Sequence, residues 1–147
     1  MTERKPRVLF LCIHNSARSQ MAEAFLKQLV GERYEVESAG LEPGRLNPLA
    51  VAAMREARID ISGNGTQSVF ALFEAGRRFD YVISVCDAAS AERCPTFPGV
   101  ATRLNWSFAD PSTFAGSEAE RLAQTIAVRD EIREAVKAWV AEREPSS

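Results

Sequence analysis

A cysteine and an arginine, Cys12 and Arg18, stand at the two ends of the short polar stretch CIHNSAR. The apolar run RVLFLC leads into the cysteine, and a helix-like pattern follows the arginine. At the start of a helix, unpaired backbone N–H groups and the helix dipole attract an anion and favour a thiolate over a thiol. The planar guanidinium of Arg18 suits two oxygens of a tetrahedral oxyanion. The pair predicts a sulfur nucleophile aimed at a bound phosphate-like group; the alternative is a buried cysteine and a surface arginine.

Composition excludes several classes of function. The chain has 147 residues, of which 46% are hydrophobic and 26% are charged, a balance typical of one globular domain. A net charge of −2 provides no basic field for nucleic acid, so any anion site must be local. No apolar run approaches the ~18 residues of a membrane span, and TERKPR precedes a short strand, not a signal sequence. We therefore expect a single domain over residues 1–147 that is a monomer in the cytoplasm.

Strand and helix patterns alternate along the chain and predict an open α/β fold with a parallel sheet. Strand character is found in RVLFLC, YEVESAG, FDYVISVC and the first part of ATRLNWSFADP. The first helix is predicted to begin at Ser19 and to end at Gly31. A second is predicted to begin at Pro48 with Asn47 as its cap, and a short third helix to end at Gly76.

A long amphipathic helix is predicted from Ser117 to about Arg143. Apolar spacing predicts an inner face on the first and last helices. In the first helix this face comprises Met21, Ala22, Phe25, Leu26 and Leu29. In the last helix it comprises Leu122, Ile126, Ile132, Val136 and Val140.

The chain has three cysteines, Cys12, Cys86 and Cys94, and one histidine, His14. Thiols stay reduced in the cytoplasm, so these cysteines are expected to be reactive, metal-binding or buried. The spacing C-x-H with C-x7-C matches no zinc pattern, and we predict no metal site and no cofactor. His14 can titrate near neutrality, but its ring must leave room for the anion and is expected to point outward.

A carboxyl group near Cys12 could protonate an oxygen that leaves during transfer to sulfur. Asp110 is the candidate, because it follows the fourth strand on the edge of the sheet that carries Cys12. Pro111 favours an extended conformation for the preceding aspartate. The alternative is an ordinary Asp-Pro turn.

The loop CIHNSARSQMAEAF resembles the active-site loop of low-molecular-weight protein tyrosine phosphatases and of the arsenate reductases built on that fold. The resemblance extends to ESAG, to the strand before Cys86, to ADP at Asp110 and to VRDEIREAVKAWV. The segment NSxRSQMAE followed by SAG is closer to the reductases. The resemblance implies a three-layer, flavodoxin-like fold with a four-stranded parallel sheet. It also implies a substrate-binding loop made of Ile13, His14, Asn15, Ser16, Ala17, Arg18 and Ser19.

The resemblance further implies roles within this site. Asn15 and Ser19 would brace the loop by hydrogen bonds, and Asp110 would be the general acid. Ala17 stands where the family often has a second cysteine. Some of these reductases bind potassium through residues that match Asn15, Glu23 and Ser38. The stretch SGNGTQS offers no aspartate as the fourth ligand, so the ion is not predicted.

The resembling reductases use three thiols in sequence, which implies roles for all three cysteines. Cys12 would attack arsenate, Cys86 would attack the sulfur of Cys12 and release arsenite, and Cys94 would then form a disulfide with Cys86. Thioredoxin or another thiol reductant would reopen that disulfide. Seven residues separate Cys86 from Cys94, where the family usually has six. Helix formers in DAASAER predict a helical turn that must unwind when the disulfide forms.

Two other functions remain open at this stage. The chain could be a phosphatase that hydrolyses phosphate monoesters. In a reductase, by contrast, phosphate would only compete with arsenate for the loop. That phosphatase class usually has a tyrosine after the Asp-Pro pair, whereas Ser112 follows Pro111 here. A non-catalytic binder of phosphorylated partners is the third possibility, and the intact set of Cys12, Arg18 and Asp110 argues against it.

Overall fold

Four parallel strands form one sheet in the computed structural model, which describes residues 5–94 and 101–143. The strands are β1 (Arg7–Cys12), β2 (Glu35–Gly40), β3 (Tyr81–Ser84) and β4 (Thr102–Asn105), in the order β2-β1-β3-β4. The helices are α1 (Arg18–Val30), α2 (Pro48–Glu56), α3 (Val69–Glu74), α4 (Ala88–Ala91) and α5 (Glu118–Arg143). A 3-10 turn covers Pro111–Thr113. The predicted four-stranded parallel sheet is confirmed.

The central strand β1 is buried on both faces, which explains its continuous apolar sequence. Successive side chains of a strand point to opposite faces. Val8, Phe10 and Cys12 belong to the core cluster that includes α1 and α5. Leu9 and Leu11 belong to a second cluster, which includes Val69 and Leu72 of α3. The sheet is therefore the middle of three layers.

The order of the strands places a crevice beside Cys12. The chain passes from β1 to β2 on one side, and later returns to place β3 on the other side of β1. Such a reversal leaves a crevice at the carboxyl ends of the two strands, where ligands bind in open α/β sheets. Cys12 is the last residue of β1, and Cys86 lies two residues beyond β3.

The predicted start of the first helix and one predicted core residue differ from the structure, whereas the predicted end of that helix at Gly31 is confirmed. Asn47 does cap α2, since its Oδ1 accepts from the Leu49 N–H at 2.9 Å, with Pro48 at the first position. Helix α1, however, begins at Arg18, and Ser19 lies inside it. Gly31 follows α1 with an ordinary right-handed backbone. Leu29 is 43% exposed and does not belong to the core.

The inner face of α5 is wider and more polar than its apolar spacing predicts. Ile132 and Val136 are buried as expected, whereas Leu122, Ile126 and Val140 are only partly buried. The buried residues are Thr125, Val128, Arg129, Ile132, Val136 and Trp139. Within the two described ranges, no helix combines the length and the apolar character that crossing a membrane requires.

Candidate active site

The sulfur of Cys12 is enclosed by polar groups of its own loop. Cys12 is 2% exposed, and its Sγ lies 2.9 Å from Ser19 Oγ. The backbone N–H of Asn15 donates to the same sulfur at 3.1 Å. Ser19 is therefore not a helix cap, because its hydroxyl faces the cysteine. Donors directed at a sulfur suit a negatively charged nucleophile.

Asn15 holds the loop in shape with every polar atom of its side chain. Its Nδ2 donates to Ser19 Oγ at 2.8 Å and to Ser38 Oγ at 2.9 Å. Its Oδ1 accepts from the backbone N–H of Gln67 at 3.0 Å. Because Ser19 Oγ accepts from Asn15, its own hydrogen can point at the sulfur of Cys12. Asn15 has φ 54°, a left-handed conformation that asparagine tolerates better than most residues.

The network continues outward to a carboxylate and a lysine. Ser38 Oγ donates to Glu23 Oε1 at 2.5 Å, and Lys27 Nζ pairs with Glu23 Oε2 at 2.6 Å. The hydrogen bonds thus run from Asn15 through Ser38 to Glu23, and Glu23 pairs with Lys27. Across residues 5–94 and 101–143, no group of three or more His, Cys, Asp or Glu side chains is placed to hold a metal ion.

The loop is also hydrogen-bonded to the backbone of neighbouring segments. Ser16 O accepts from the Asn47 N–H at 2.8 Å, which ties the loop to the start of α2. Ile13 is half-buried, and Ala17 is 3% exposed. The exposed His14 lies outside, as expected, with its Nδ1 2.9 Å from the carbonyl oxygen of Glu42. Because its ring is bound there, only the backbone of His14 is left to contact an anion in the loop.

Gly40 lets β2 approach the loop so closely that no side chain fits. A Cβ at this position would lie 2.7 Å from Asn15 N and 2.8 Å from the carbonyl oxygen of Ile13. Both atoms are backbone, so the loop itself would have to move.

We expect Gly40→Ala to lower kcat/KM for phosphate ester hydrolysis about 10²-fold, because small displacements of a reacting group are costly. Gly63→Ala is the matched control, since a Cβ there meets no atom within 4 Å. Equal activities of the two variants would show that the close approach has no role in the site.

Arg18 and Asp110 meet at the rim of the pocket. Arg18 is 5% exposed, and its Nη2 lies 3.4 Å from Asp110 Oδ2. Its Nη1 donates to the carbonyl oxygen of Phe108 at 3.2 Å. The other carboxyl oxygen of Asp110 accepts from the N–H of Ser112 at 3.0 Å. The structure thus brings the predicted arginine and the predicted acid into contact, with Asp110 also capping the turn at Pro111.

Cys86 lies in the same apolar cluster as Cys12, at the end of the neighbouring strand. Its side chain is fully buried, and its carbonyl oxygen accepts from Asn105 Nδ2 at 3.0 Å. Burial raises the pKa of the Cys86 thiol to about 11. The Arg18 charge opposes this shift, while Cys12 and Asp87 add to it. Cys86 is therefore a protonated thiol at neutral pH.

This environment predicts a pH dependence that can be measured directly. In a Cys12→Ser/Cys94→Ser protein, thiolate absorbance at 240 nm should stay low below about pH 9.5 and rise toward a midpoint near 11. A Cys12→Ser/Cys86→Ala/Cys94→Ser protein provides the blank. The same thiol in denaturant should titrate near ~8.5. A native midpoint near that ordinary value would contradict the buried environment of Cys86.

Cys94 is also buried, but on the other face of the sheet. It is 6% exposed and packs in the cluster of Leu9, Leu11 and α3. The segment from Cys86 contains α4, as the predicted helical turn requires, and then a turn in which Cys94 N–H donates to Ala91 O at 3.2 Å. All three cysteines are in the reduced, thiol form.

Several contributing residues were not predicted from the sequence. Asp87 caps α4, because its Oδ2 accepts from the Ser90 N–H at 3.3 Å; its pKa is lowered, mainly by its hydrogen bond with the Ser90 side chain. Gln67 and Glu42 act through backbone bonds that no residue pattern reveals. Only Asp87 could have been found, as a cap-type residue directly before the helix formers AASA.

Comparison with known proteins identifies the family. A model of the low molecular weight phosphotyrosine protein phosphatase family matches residues 7–145. The chain belongs to this family. An arsenate reductase of Bacillus licheniformis is 44% identical over 133 residues, which cover 90% of this chain and 94% of that relative.

Solved structures in this family agree with the fold. An arsenate reductase in the phosphate-binding state superposes with a TM-score of 0.75 at 33% identity, covering 93% of this chain and 98% of that one. A thioredoxin-dependent arsenate reductase of Corynebacterium glutamicum has a TM-score of 0.63 at 27% identity, covering 94% of this chain and 65% of that one. The resemblance stated from the loop sequence is therefore confirmed.

Proposed function

We propose that this protein is an arsenate reductase that acts by a relay of three thiols. The observation that carries the proposal is the packing of Cys86 in one apolar cluster with Cys12, at the ends of adjacent strands. A phosphatase needs only the thiol in the loop, whereas a reductase needs a second thiol beside it. The relatives named arsenate reductase support the same conclusion.

In the first step, the Cys12 thiolate attacks arsenic(V) of arsenate, which residues 13–19 bind with their N–H groups and Arg18. A new S–As bond forms, and one oxygen leaves as water with a proton from Asp110. Cys86 then attacks the sulfur of Cys12, and its thiol proton passes to an oxygen of the departing arsenic group. An S–S bond forms, the S–As bond breaks, and its electron pair reduces arsenic to arsenic(III), which leaves as arsenite.

In the last step, Cys94 attacks Cys86, which frees Cys12 and leaves a Cys86–Cys94 disulfide. A dithiol protein of the thioredoxin type then reduces this disulfide. The name of the Corynebacterium glutamicum relative, a thioredoxin-dependent arsenate reductase, supports this donor. We propose that residues 1–147 act as a single domain and as a monomer in the cytoplasm, where such a donor is available.

The test is arsenate-dependent oxidation of NADPH in the presence of thioredoxin and thioredoxin reductase. We expect oxidation only when the protein and arsenate are both present, and inhibition by phosphate, which competes for the loop. The alternative function is a low-molecular-weight phosphatase, and the family to which the chain belongs supports it only as a relation in fold. Hydrolysis of an aryl phosphate without any arsenate-dependent oxidation would establish that alternative.

A further inference from the structure

Arg103 holds the turn that positions Cys94. The carbonyl oxygen of Ala91, the last residue of α4, accepts from the N–H of Cys94 at 3.2 Å. The same oxygen accepts from Arg103 Nη2 at 3.1 Å, and Arg103 lies on β4. One guanidinium therefore fixes the carbonyl on which the turn to Cys94 closes.

A second arginine holds this turn from the side of the loop. Arg93 Nη2 pairs with Glu42 Oε2 at 2.9 Å. The backbone of Glu42 is itself bonded to the loop of Cys12, since its N–H donates to Ile13 O at 2.7 Å and its carbonyl oxygen lies 2.9 Å from His14 Nδ1. Glu42 thus joins the segment that carries Cys94 to the loop that carries Cys12.

We propose that Glu42, Arg93 and Arg103 are positioning residues that keep Cys94 apart from Cys86 in the reduced protein and so set the equilibrium of the Cys86–Cys94 disulfide. This inference rests on the proposed function. The two cysteines belong to core clusters on opposite faces of the sheet. A disulfide requires α-carbons within about 7 Å of each other, so Cys94 must leave its cluster and the turn at Ala91 must open.

Contacts that exist only in the dithiol form stabilise that form relative to the disulfide. Opening the turn removes Ala91 O from Arg103 and moves Arg93 away from Glu42. Both contacts therefore oppose oxidation, and their loss should favour the disulfide. Burial raises the pKa of the Cys94 thiol, with the Arg103 charge acting against this shift. Near pH 7 the thiol predominates, so the equilibrium there reports the contacts rather than the charge of a thiolate.

The experiment uses the full chain with Cys12→Ser, in which only Cys86 and Cys94 can pair. The disulfide fraction is measured in dithiothreitol redox buffers at pH 7 by alkylation and mass spectrometry. We expect Glu42→Gln and Arg103→Met each to shift the equilibrium constant toward the disulfide about three- to fivefold. Arg103→Lys retains a charged donor and should stay close to the parent. Thermal unfolding establishes that each variant is folded.

Glu35→Gln is the matched control, because it removes a similarly exposed pair with Arg7 at the opposite ends of the strands. It should leave the equilibrium unchanged. The double substitution Glu42→Arg/Arg93→Glu should restore the parent value, which a merely structural role would not predict. A disulfide that forms normally but responds equally to Glu42→Gln and Glu35→Gln overturns this inference and leaves the relay intact. Failure of the Cys12→Ser protein to form any Cys86–Cys94 disulfide overturns both.

Discussion

Replacing Cys12 with serine should abolish arsenate reduction and aryl phosphate hydrolysis together, each by at least about 10⁴-fold. A serine hydroxyl at the same place is a far weaker nucleophile than a thiolate, and residues 12–18 contain no other cysteine. The measurement is kcat/KM for both reactions in the same preparation. Because Ser19 Oγ and Asn15 N–H can still bond to a hydroxyl oxygen, the loop should keep its shape, and phosphate binding by calorimetry should persist.

Cys86→Ser and Cys94→Ser provide the contrast within the same experiment. Each should stop multiple-turnover reduction with thioredoxin as the donor. Each should also leave hydrolysis within about twofold of the parent, because hydrolysis at Cys12 needs neither of the other two thiols. If either variant retained full reductase turnover with thioredoxin as sole donor, the three-thiol relay would be wrong.

Arg18→Lys should lower kcat/KM for both reactions about 10²- to 10³-fold, although the charge is kept. A lysine is a point charge and cannot bind two oxygens in one plane. It also cannot reach both Phe108 O and Asp110, which the two guanidinium nitrogens of Arg18 contact at 3.2 Å and 3.4 Å.

The control for Arg18→Lys is Arg7→Lys, at the first residue of β1, which should leave both activities unchanged. Inhibition by phosphate should weaken in Arg18→Lys and not in Arg7→Lys. Full activity in Arg18→Lys would show that the guanidinium fork does not hold the oxyanion.

The sheet could be predicted from the sequence because β1, its most buried strand, is apolar without interruption from Val8 to Cys12. The start of α1 could not, because Ser19 has the side chain of a cap but uses it for Cys12. The inner face of α5 was obscured by Arg129, which is 5% exposed and donates to Ala53 O at 2.8 Å. A charged residue that is buried through such contacts breaks the apolar period on which the prediction depends.

Within the candidate site, residue types could be predicted from the sequence, but the directions of their side chains could not. Cys12 and Arg18 could be predicted from their spacing, and Asp110 could be predicted from the Asp-Pro pair that follows the fourth strand. The sequence does not show that Cys86 and Cys94 face opposite sides of the sheet, because the chain between them turns through α4. The pairing of Arg18 with Asp110 depends on the backbone after β4, which no local pattern specifies.

The burial of all three cysteines has a consequence for survival of the protein under oxidative stress. Their exposed fractions are 2% for Cys12, 0% for Cys86 and 6% for Cys94. Peroxide oxidises thiolates that it can reach, and beyond the sulfenic stage the damage to a cysteine is largely irreversible. A resting protein that keeps the sulfurs of Cys86 and Cys94 under side chains offers little to this reaction at those two residues. If Cys94 leaves its cluster only when the disulfide forms, it emerges already paired with another sulfur and is shielded from peroxide at the moment of exposure.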